Sequence, residues 1–444
     1  MPGTLDSAAS AMTVRGRGTG NGSACLRYSD DMERSKHRRH TLTVEEAVRR
    51  ILLGCQVLPE RAVPLREARG LVLARDVVAQ SPSPRFDTAA MDGYAVQHAD
   101  VRGASPERPV HLGVVGSVAA GVRDAAAVAP GTAVRIMTGA PCPEDADVVI
   151  PFELVEVRDD LIVVSQPFSA GVNIRRTGED IAVGSIVVES GTMLGPAHLA
   201  AIAAEGHETI EVMPRPRVAV IATGDELVRP GQALEPGQIW DSNSVMVAAL
   251  VEQFGGEVAL SGSVPDEPGA VLDELRREAA EGADLMITIG GASLGDRDVL
   301  TELASDMVAL DCWNIAMKPG KPLVYGQIDG AVVIGLPGNP AAAFISAVQF
   351  VRPVIATMLG RLDIDPPTVV ARATESVTNS GGRRNYLRVT LEVEESGYVA
   401  RLAGPQNVAS LATLSRAEGL LIVPEGIERV EAGERFDVQI IRTL

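Results

Sequence analysis

Lys318 and Lys321 flank Pro319-Gly320, a rigid turn that would hold two ammonium groups at one place. Such a pair suits an oxyanion such as phosphate, although a solvated turn with two surface lysines has the same sequence. Carboxylates stand nearby in the pattern: Asp225 and Glu226 in Thr223-Gly224-Asp225-Glu226, Asp266 before Glu267-Pro268, and Asp298 at the end of a glycine-rich run. These are hard oxygen donors, and Mg²⁺ characteristically takes one or two such groups together with substrate phosphates. Asp266 serves equally well as the N-cap of a helix over 269–282.

The run Gly290-Gly291-Ala292-Ser293-Leu294-Gly295-Asp296-Arg297-Asp298 lets backbone N–H groups approach an anion closely, and a helix starting near Arg297 adds its own donors. It is neither a Walker loop nor a dinucleotide fingerprint, so a tight strand-to-helix turn explains it as well as phosphate binding does. Leu336-Pro337-Gly338-Asn339-Pro340 brackets another sharp turn before a helix, which the prolines alone would shape. Upstream, Met91-Asp92-Gly93-Tyr94 places a carboxylate at a glycine turn entering a strand.

These residues must be held by something, and the hydrophobic pattern says what. Between Arg217 and Gly360, apolar strands at 218–221, 285–289 and 332–334 alternate with helical stretches at 244–254 and 341–359. Alternation of this kind predicts a doubly wound α/β domain with parallel strands and helices on both faces. Ligands of such sheets bind beyond the carboxyl ends of the strands, where all four loops fall. Earlier in the chain, Thr43 and Glu46 form a capping box for a helix through Leu53. Residues 110–168 read as a β-rich module, and Pro196 to Gly206 as a short helix. After Pro366, short strands separated by glycine turns predict a terminal β-barrel or sandwich.

The chain has 444 residues, with 40 Lys+Arg against 58 Asp+Glu and a net charge of −18, which argues against a nucleic-acid or membrane-surface partner. Aromatic residues are only 3%, too few for the stacking platforms of single-strand binders. Residues 1–40 hold seven Lys/Arg against four acids and few large apolar groups, and read as a disordered basic tail. No apolar run reaches the length of a membrane span and no secretory segment is evident, so a cytoplasmic protein is expected. Cys25, Cys55, Cys142 and Cys312 are far apart, and the histidines lack a His-x-x-x-His pair, so neither disulfides nor zinc is signalled.

Taken together, the motifs are more specific than any one of them. Met91 to Val96, Arg135-Ile136-Met137-Thr138-Gly139-Ala140-Pro141, Asn173-Ile174-Arg175-Arg176 with Gly178-Glu179-Asp180, Thr223 to Leu227, the Gly290 to Asp298 run, Lys318 to Pro322 and Leu336 to Pro340 occur in this order. The set resembles the MoeA family of molybdopterin molybdenumtransferases, related to the E domain of gephyrin, over about residues 41–444. The resemblance implies an α/β dimerisation region from segments 41–84 and 175–213, an inserted β-rich module at 85–174, an adenylyltransferase-like α/β domain at 214–362 and a β-barrel at 363–444. It further implies an elongated homodimer that inserts molybdenum from molybdate into adenylyl-molybdopterin with Mg²⁺, releasing AMP. Molybdopterin adenylyltransferase and recipient molybdoenzymes would be its protein partners.

Carried over position by position, the resemblance marks Asp92, Thr138, Asp180, Glu226, Asp266, Asp298, Lys318, Lys321, Pro337 and Pro340, with Arg383 or Arg388 reaching in from the barrel. Combined with the residues' own chemistry, it assigns the oxyanion to Lys318 and Lys321. Mg²⁺ and the AMP phosphate go to Asp225, Glu226 and Asp298, and proton handling to Asp92 and Asp180. Thr223, Gly224, Gly290, Gly291, Ser293, Gly295 and Asn339 complete the substrate-binding set. Three positions depart from the family pattern: Ala342 and Val408 where serine is common, and Asn314 where a lysine is often found. Two alternatives stay open: a relative that inserts tungsten or only hydrolyses the nucleotide, and a non-catalytic carrier or scaffold.

Overall fold

The computed structural model describes residues 41–121, 127–291 and 310–441. The tail at 1–40 and the stretch carrying Ser293, Gly295 and Asp298 lie outside the described residues.

A seven-stranded sheet forms the centre. Its strands are β1 (Thr41–Leu42), β2 (Arg217–Thr223), β3 (Glu257–Val264), β4 (Leu285–Ile289), β5 (Leu310–Ile315), β6 (Pro322–Ile328) and β7 (Ala331–Leu336), in the spatial order β1-β5-β6-β7-β4-β2-β3. All residues of β4 and β7 are buried, and their near-continuous apolar runs, interrupted by Thr288, are what a sheet covered on both faces demands. Helix α2 (Asn243–Phe254) and the long apolar helix from Pro340 to Met358 cover one face. Helix α3 (Pro268–Ala280) covers the other through Val271, Leu272 and Leu275. Most of the 340–358 helix is buried inside the protein, which accounts for its apolar composition.

The strands expected at 218–221, 285–289 and 332–334 lie parallel, and the sheet continues beyond them. Strands β2, β3, β4 and β7 are parallel, but β6 runs antiparallel to both β5 and β7. The cause is legible afterwards: Asp329-Gly330 joins β6 to β7 with both residues at positive φ, 49° and 91°, the signature of a two-residue hairpin. The reversal also carries the 316–321 loop to the same edge as the carboxyl ends of β2, β4 and β7.

Helix α1 (Val44–Leu53) begins where expected, with the Thr43 hydroxyl accepting from the Glu46 N–H at 3.1 Å, while the Glu46 carboxylate accepts from Arg49 at 2.8 Å and Arg50 at 2.9 Å. Strand β1 just before it pairs parallel with β5 and so welds the start of the described chain to the central sheet. Residues 93–164 build a separate six-stranded sheet, the β-rich module. The segments flanking it pair with each other: Thr88–Ala89 with Ile174–Arg175, Val77–Val78 with Ile186–Val188, and Arg61–Pro64 and Val72–Leu73 with Thr209–Met213. A closed five-stranded barrel follows, from Thr368–Ala373, Arg384–Glu394, Gly397–Leu402, Gly419–Val423 and Arg435–Ile440.

Candidate functional site

Strand register assembles one rim. Ala222 lies opposite Ile289, Ile289 opposite Leu336, and Val324 opposite Gly335, so Thr223, Gly290, Pro337 and the 316–321 loop all emerge at one edge. The loops are packed tightly. Gly290 has φ 96°, its N–H donates to Leu336 O at 3.1 Å, and a Cβ placed on it would lie 2.7 Å from Thr223 O. Only glycine fits a left-handed residue against a neighbouring carbonyl. Pro337 is buried, while Gly338 and Asn339 face solvent, and the Asn243 side-chain amide donates to Gly338 O at 2.7 Å.

Asp225, Glu226 and Asp266 gather at this rim. The Asp266 N–H donates to Asp225 Oδ1 at 3.2 Å. Partial burial, then the charges of Asp225 and Glu226, raise the Asp266 carboxyl above its ordinary value. The alternative that Asp266 caps α3 fails: Glu267 is the N-cap residue, and no side chain caps that end. The Asp266 carboxyl is thereby left to the acidic group. Among the described residues no three such ligands are arranged as a ready metal cage. Crowded carboxylates that supply part of a coordination shell are what Mg²⁺ uses when phosphate oxygens and water supply the rest.

Lys318 is half-buried and Lys321 exposed. Met317–Lys318 pairs with Arg384–Asn385 of the barrel, and Ile315 N–H donates to Lys321 O at 2.7 Å, so both ends of the turn are fixed. Gly320, at φ 100°, lets the turn pass the Ser346 hydroxyl, which a Cβ would meet at 2.6 Å. Arg383 directly precedes the paired barrel strand and is half-buried. Arg388 is different and corrects the expectation that it reaches the substrate. It is 1% exposed, its Nη1 donates to Asn407 O at 2.8 Å, its Nε donates to Gln406 Oε1 at 3.2 Å, and burial lowers its pKa. Its guanidinium is engaged inside the barrel.

A second group forms where the β-rich module joins its flanking segments. Asp92 Oδ1 accepts from Thr138 N–H at 2.7 Å and from Thr138 Oγ1 at 2.8 Å. The Thr138 N–H, then its hydroxyl, hold the Asp92 carboxyl below the usual range. Asp92 is therefore a weak proton acceptor near neutral pH and a firm anchor for Thr138, which counts against its expected part in proton handling. Asp180 is exposed, and its N–H donates to Ser83 O at 3.0 Å. Asp87 was not singled out for chemistry by its sequence, yet it ties the group together. Its carboxylate accepts from Thr177 N–H at 2.8 Å, Thr177 Oγ1 at 2.9 Å and Arg176 Nη1 at 2.5 Å. Among the described residues the sequence motifs thus form two groups, three in the upstream cluster and, with only Gly290 and Gly291 of the glycine run, four on the rim.

Thiol chemistry finds no support at the two cysteines with shifted values, since burial pushes Cys55 up to about 12 and Cys142 up to about 11. A cavity of about 520 Å³ opens between α1, the 340–358 helix and the barrel, lined by Val48, Leu52, Gln349 and Tyr386 among others. No residue assigned to the oxyanion, the metal or proton transfer lines it.

Comparison with known proteins bears on this geometry. Residues 42–206 match the MoeA N-terminal region (domain I and II), residues 219–357 a probable molybdopterin binding domain, and residues 370–441 the MoeA C-terminal region (domain IV). The chain is 38% identical over 403 residues to molybdopterin molybdenumtransferase 2 of Mycobacterium tuberculosis, covering 89% of this chain and 97% of that protein. It is 33% identical to the molybdopterin molybdenumtransferase of Staphylococcus aureus, over 90% of this chain and 96% of that one. Among solved structures, a molybdopterin biosynthesis MoeA protein of Pyrococcus horikoshii superposes with a TM-score of 0.78 at 30% identity, covering 90% of this chain and all of that one.

Proposed function

Since this chain belongs to the MoeA family of molybdopterin molybdenumtransferases, transferases of molybdenum cofactor biosynthesis, we propose that it inserts molybdenum from molybdate into adenylyl-molybdopterin in a Mg²⁺-dependent step that releases AMP. The observation that carries this reading is the rim, where two fixed lysines and three crowded carboxylates stand on glycine backbone at the carboxyl edge of one sheet. Lys318 and Lys321, joined by Arg383, would hold the oxyanion. Thr223, Gly224, Gly290, Gly291, Pro337, Asn339 and Pro340 shape the floor on which the nucleotide lies. Asp225 and Glu226, with Asp298 from the glycine run and Asp266 beside them, would hold Mg²⁺. When bound, the ion would neutralise charge developing on the phosphate as AMP departs. Asp180 would manage the proton of the departing oxygen, and Asp92 would keep Thr138 in place.

Both motif groups would have to face one substrate, and we take the cleft to be completed in a homodimer, rim from one protomer and Asp92–Asp180 edge from its partner. The division into segments 41–84 with 175–213, 85–174, 214–362 and 363–444 belongs to the same proposal, as do a cytoplasmic setting and encounters with a molybdopterin adenylyltransferase and recipient molybdoenzymes.

The test is incubation of the purified protein with adenylyl-molybdopterin, Mg²⁺ and either molybdate or tungstate, measuring AMP and metal retained on the pterin. Molybdate-dependent AMP release with one metal per pterin is expected. AMP without retained metal would make the protein a hydrolase, and tight pterin binding without AMP a carrier.

A further inference from the structure

The barrel does more than lie against the rim: one of its loops bonds to the turn that forms the rim. Helix 340–346 opens at Pro340, which has no N–H, and Asn339 gives it no side-chain cap. The next donor, Ala341 N–H, is taken by Val408 O of the barrel at 3.0 Å. Val408 belongs to the loop 404–408, and the shape of that loop is set by the side chain of Gln406. Its Oε1 accepts from Arg388 N–H at 2.9 Å and Arg388 Nε at 3.2 Å. Its Nε2 donates to Arg388 O at 3.1 Å and Gly404 O at 2.8 Å. Arg388 Nη1 then holds Asn407 O at 2.8 Å, and Thr413 Oγ1 donates to Pro405 O at 3.0 Å. One amide thus spends both its ends on fixing a backbone whose next carbonyl grips the rim. From Ala341 the linkage continues to Gly338, which packs against Gly290 with a hypothetical Cβ only 3.5 Å from the Gly290 Cα.

We propose that Gln406 is a positioning residue for the active rim, holding the Pro337–Pro340 turn in its reactive place through the Val408–Ala341 hydrogen bond. This rests on the function proposed above. It gives the barrel a catalytic consequence although Gln406 and Arg388 are bonded within the barrel rather than to substrate. The contact is made by the Val408 backbone carbonyl, so it does not depend on the side chain at that position.

The experiment combines amide hydrogen exchange at Ala341 with steady-state kinetics on Gln406→Ala and Gln406→Glu, with Arg401→Ala on the barrel's outer surface as control. Gln406→Glu keeps the acceptor for Arg388 but loses the donor to Gly404 O and Arg388 O. Both Gln406 variants are expected to speed exchange at Ala341 and to raise KM for adenylyl-molybdopterin roughly tenfold or more, since a displacement approaching 1 Å costs up to about a hundredfold. The glutamate variant should be the milder, and Arg401→Ala unchanged. A merely destabilised barrel would speed exchange along all the barrel strands as well as at Ala341 and lower the active fraction, and hence kcat, with KM as in the parent, and that result overturns the proposal. If the parent protein turns over no adenylyl-molybdopterin, the functional reading fails on its own, while Ala341 exchange still decides whether Gln406 fixes the turn.

Discussion

Replacing Gly290 by alanine perturbs the rim at its tightest point. The new Cβ would stand 2.7 Å from Thr223 O and 3.0 Å from Thr223 Oγ1, whereas ordinary contact begins at 3.4 Å. One of the two loops must therefore retreat by about 0.7 Å, in addition to the roughly 1–2 kcal/mol that alanine pays at a left-handed φ. The neighbour is backbone in a buried strand end, so it cannot swing aside as a flexible side chain would. Gly330→Ala supplies the comparison: φ there is 91°, nearly the same, but nothing lies within 4 Å of its Cβ. Both variants carry the left-handed cost and only Gly290→Ala carries the collision. A shift of this size between loops that hold one substrate should lower kcat/KM for AMP release roughly ten- to a hundredfold, while Gly330→Ala stays within about twofold. Equal activity of the two variants would refute the claim that the Gly290–Thr223 contact sets the site.

Asp266→Asn removes one charge from the crowded trio, so the metal-free protein should melt slightly higher, while Mg²⁺ affinity by calorimetry should fall about tenfold. In the parent, the raised Asp266 pKa means protons compete for this carboxylate at a higher pH than for an ordinary aspartate. Mg²⁺ binding should accordingly weaken as pH falls toward that value and recover above it, and Asp266→Asn should flatten the profile. Asp87 lies on the other side of the sign: Thr177 N–H, then Arg176, lower its pKa, so its contribution to stability is present above the ordinary carboxylate range and is lost as pH falls through the lowered value. Asp87→Asn should remove that acid-side loss, seen as a flatter thermal midpoint below about pH 4. Lys318→Ala and Lys321→Ala should each raise the molybdate concentration for half-maximal AMP release, Lys318 more because it is half-buried whereas Lys321 is exposed.

The elements that position the rim were open to reading because their signals are local. Strand β4 is apolar but for Thr288, Thr43 and Glu46 spell a cap, and Pro340 marks a helix start. What was missed depends on partners distant in sequence. Strand β6 reads Pro-Leu-Val-Tyr-Gly, which periodicity leaves ambiguous, and its reversal is encoded in the two residues Asp329-Gly330. That Arg388 turns inward follows from meeting Gln406 and Asn407 across the barrel, which its own sequence neighbours do not reveal. Asp266 reads as a cap because it precedes Glu-Pro, and only the fold shows Glu267 at the N-cap position and the Asp266 N–H bonded to Asp225. The motifs can be picked out in order along the chain, and the fold divides them into two groups through contacts that their own sequence does not show, Asp92 with Thr138 and Asp225 with Asp266.

That division is where the account is most exposed, and subunit complementation tests it directly. Asp92→Ala and Lys318→Ala would each impair one half of a cleft, so at a molybdate concentration that just saturates the parent each homodimer should release little AMP. If the cleft joins the rim of one protomer to the Asp92 edge of the other, a mixed dimer of the two variants keeps one intact site. Statistical mixing by co-refolding or co-expression should then restore about one quarter of parental AMP release. No recovery in dimers verified as mixed would place both groups in a single protomer's site and contradict the account.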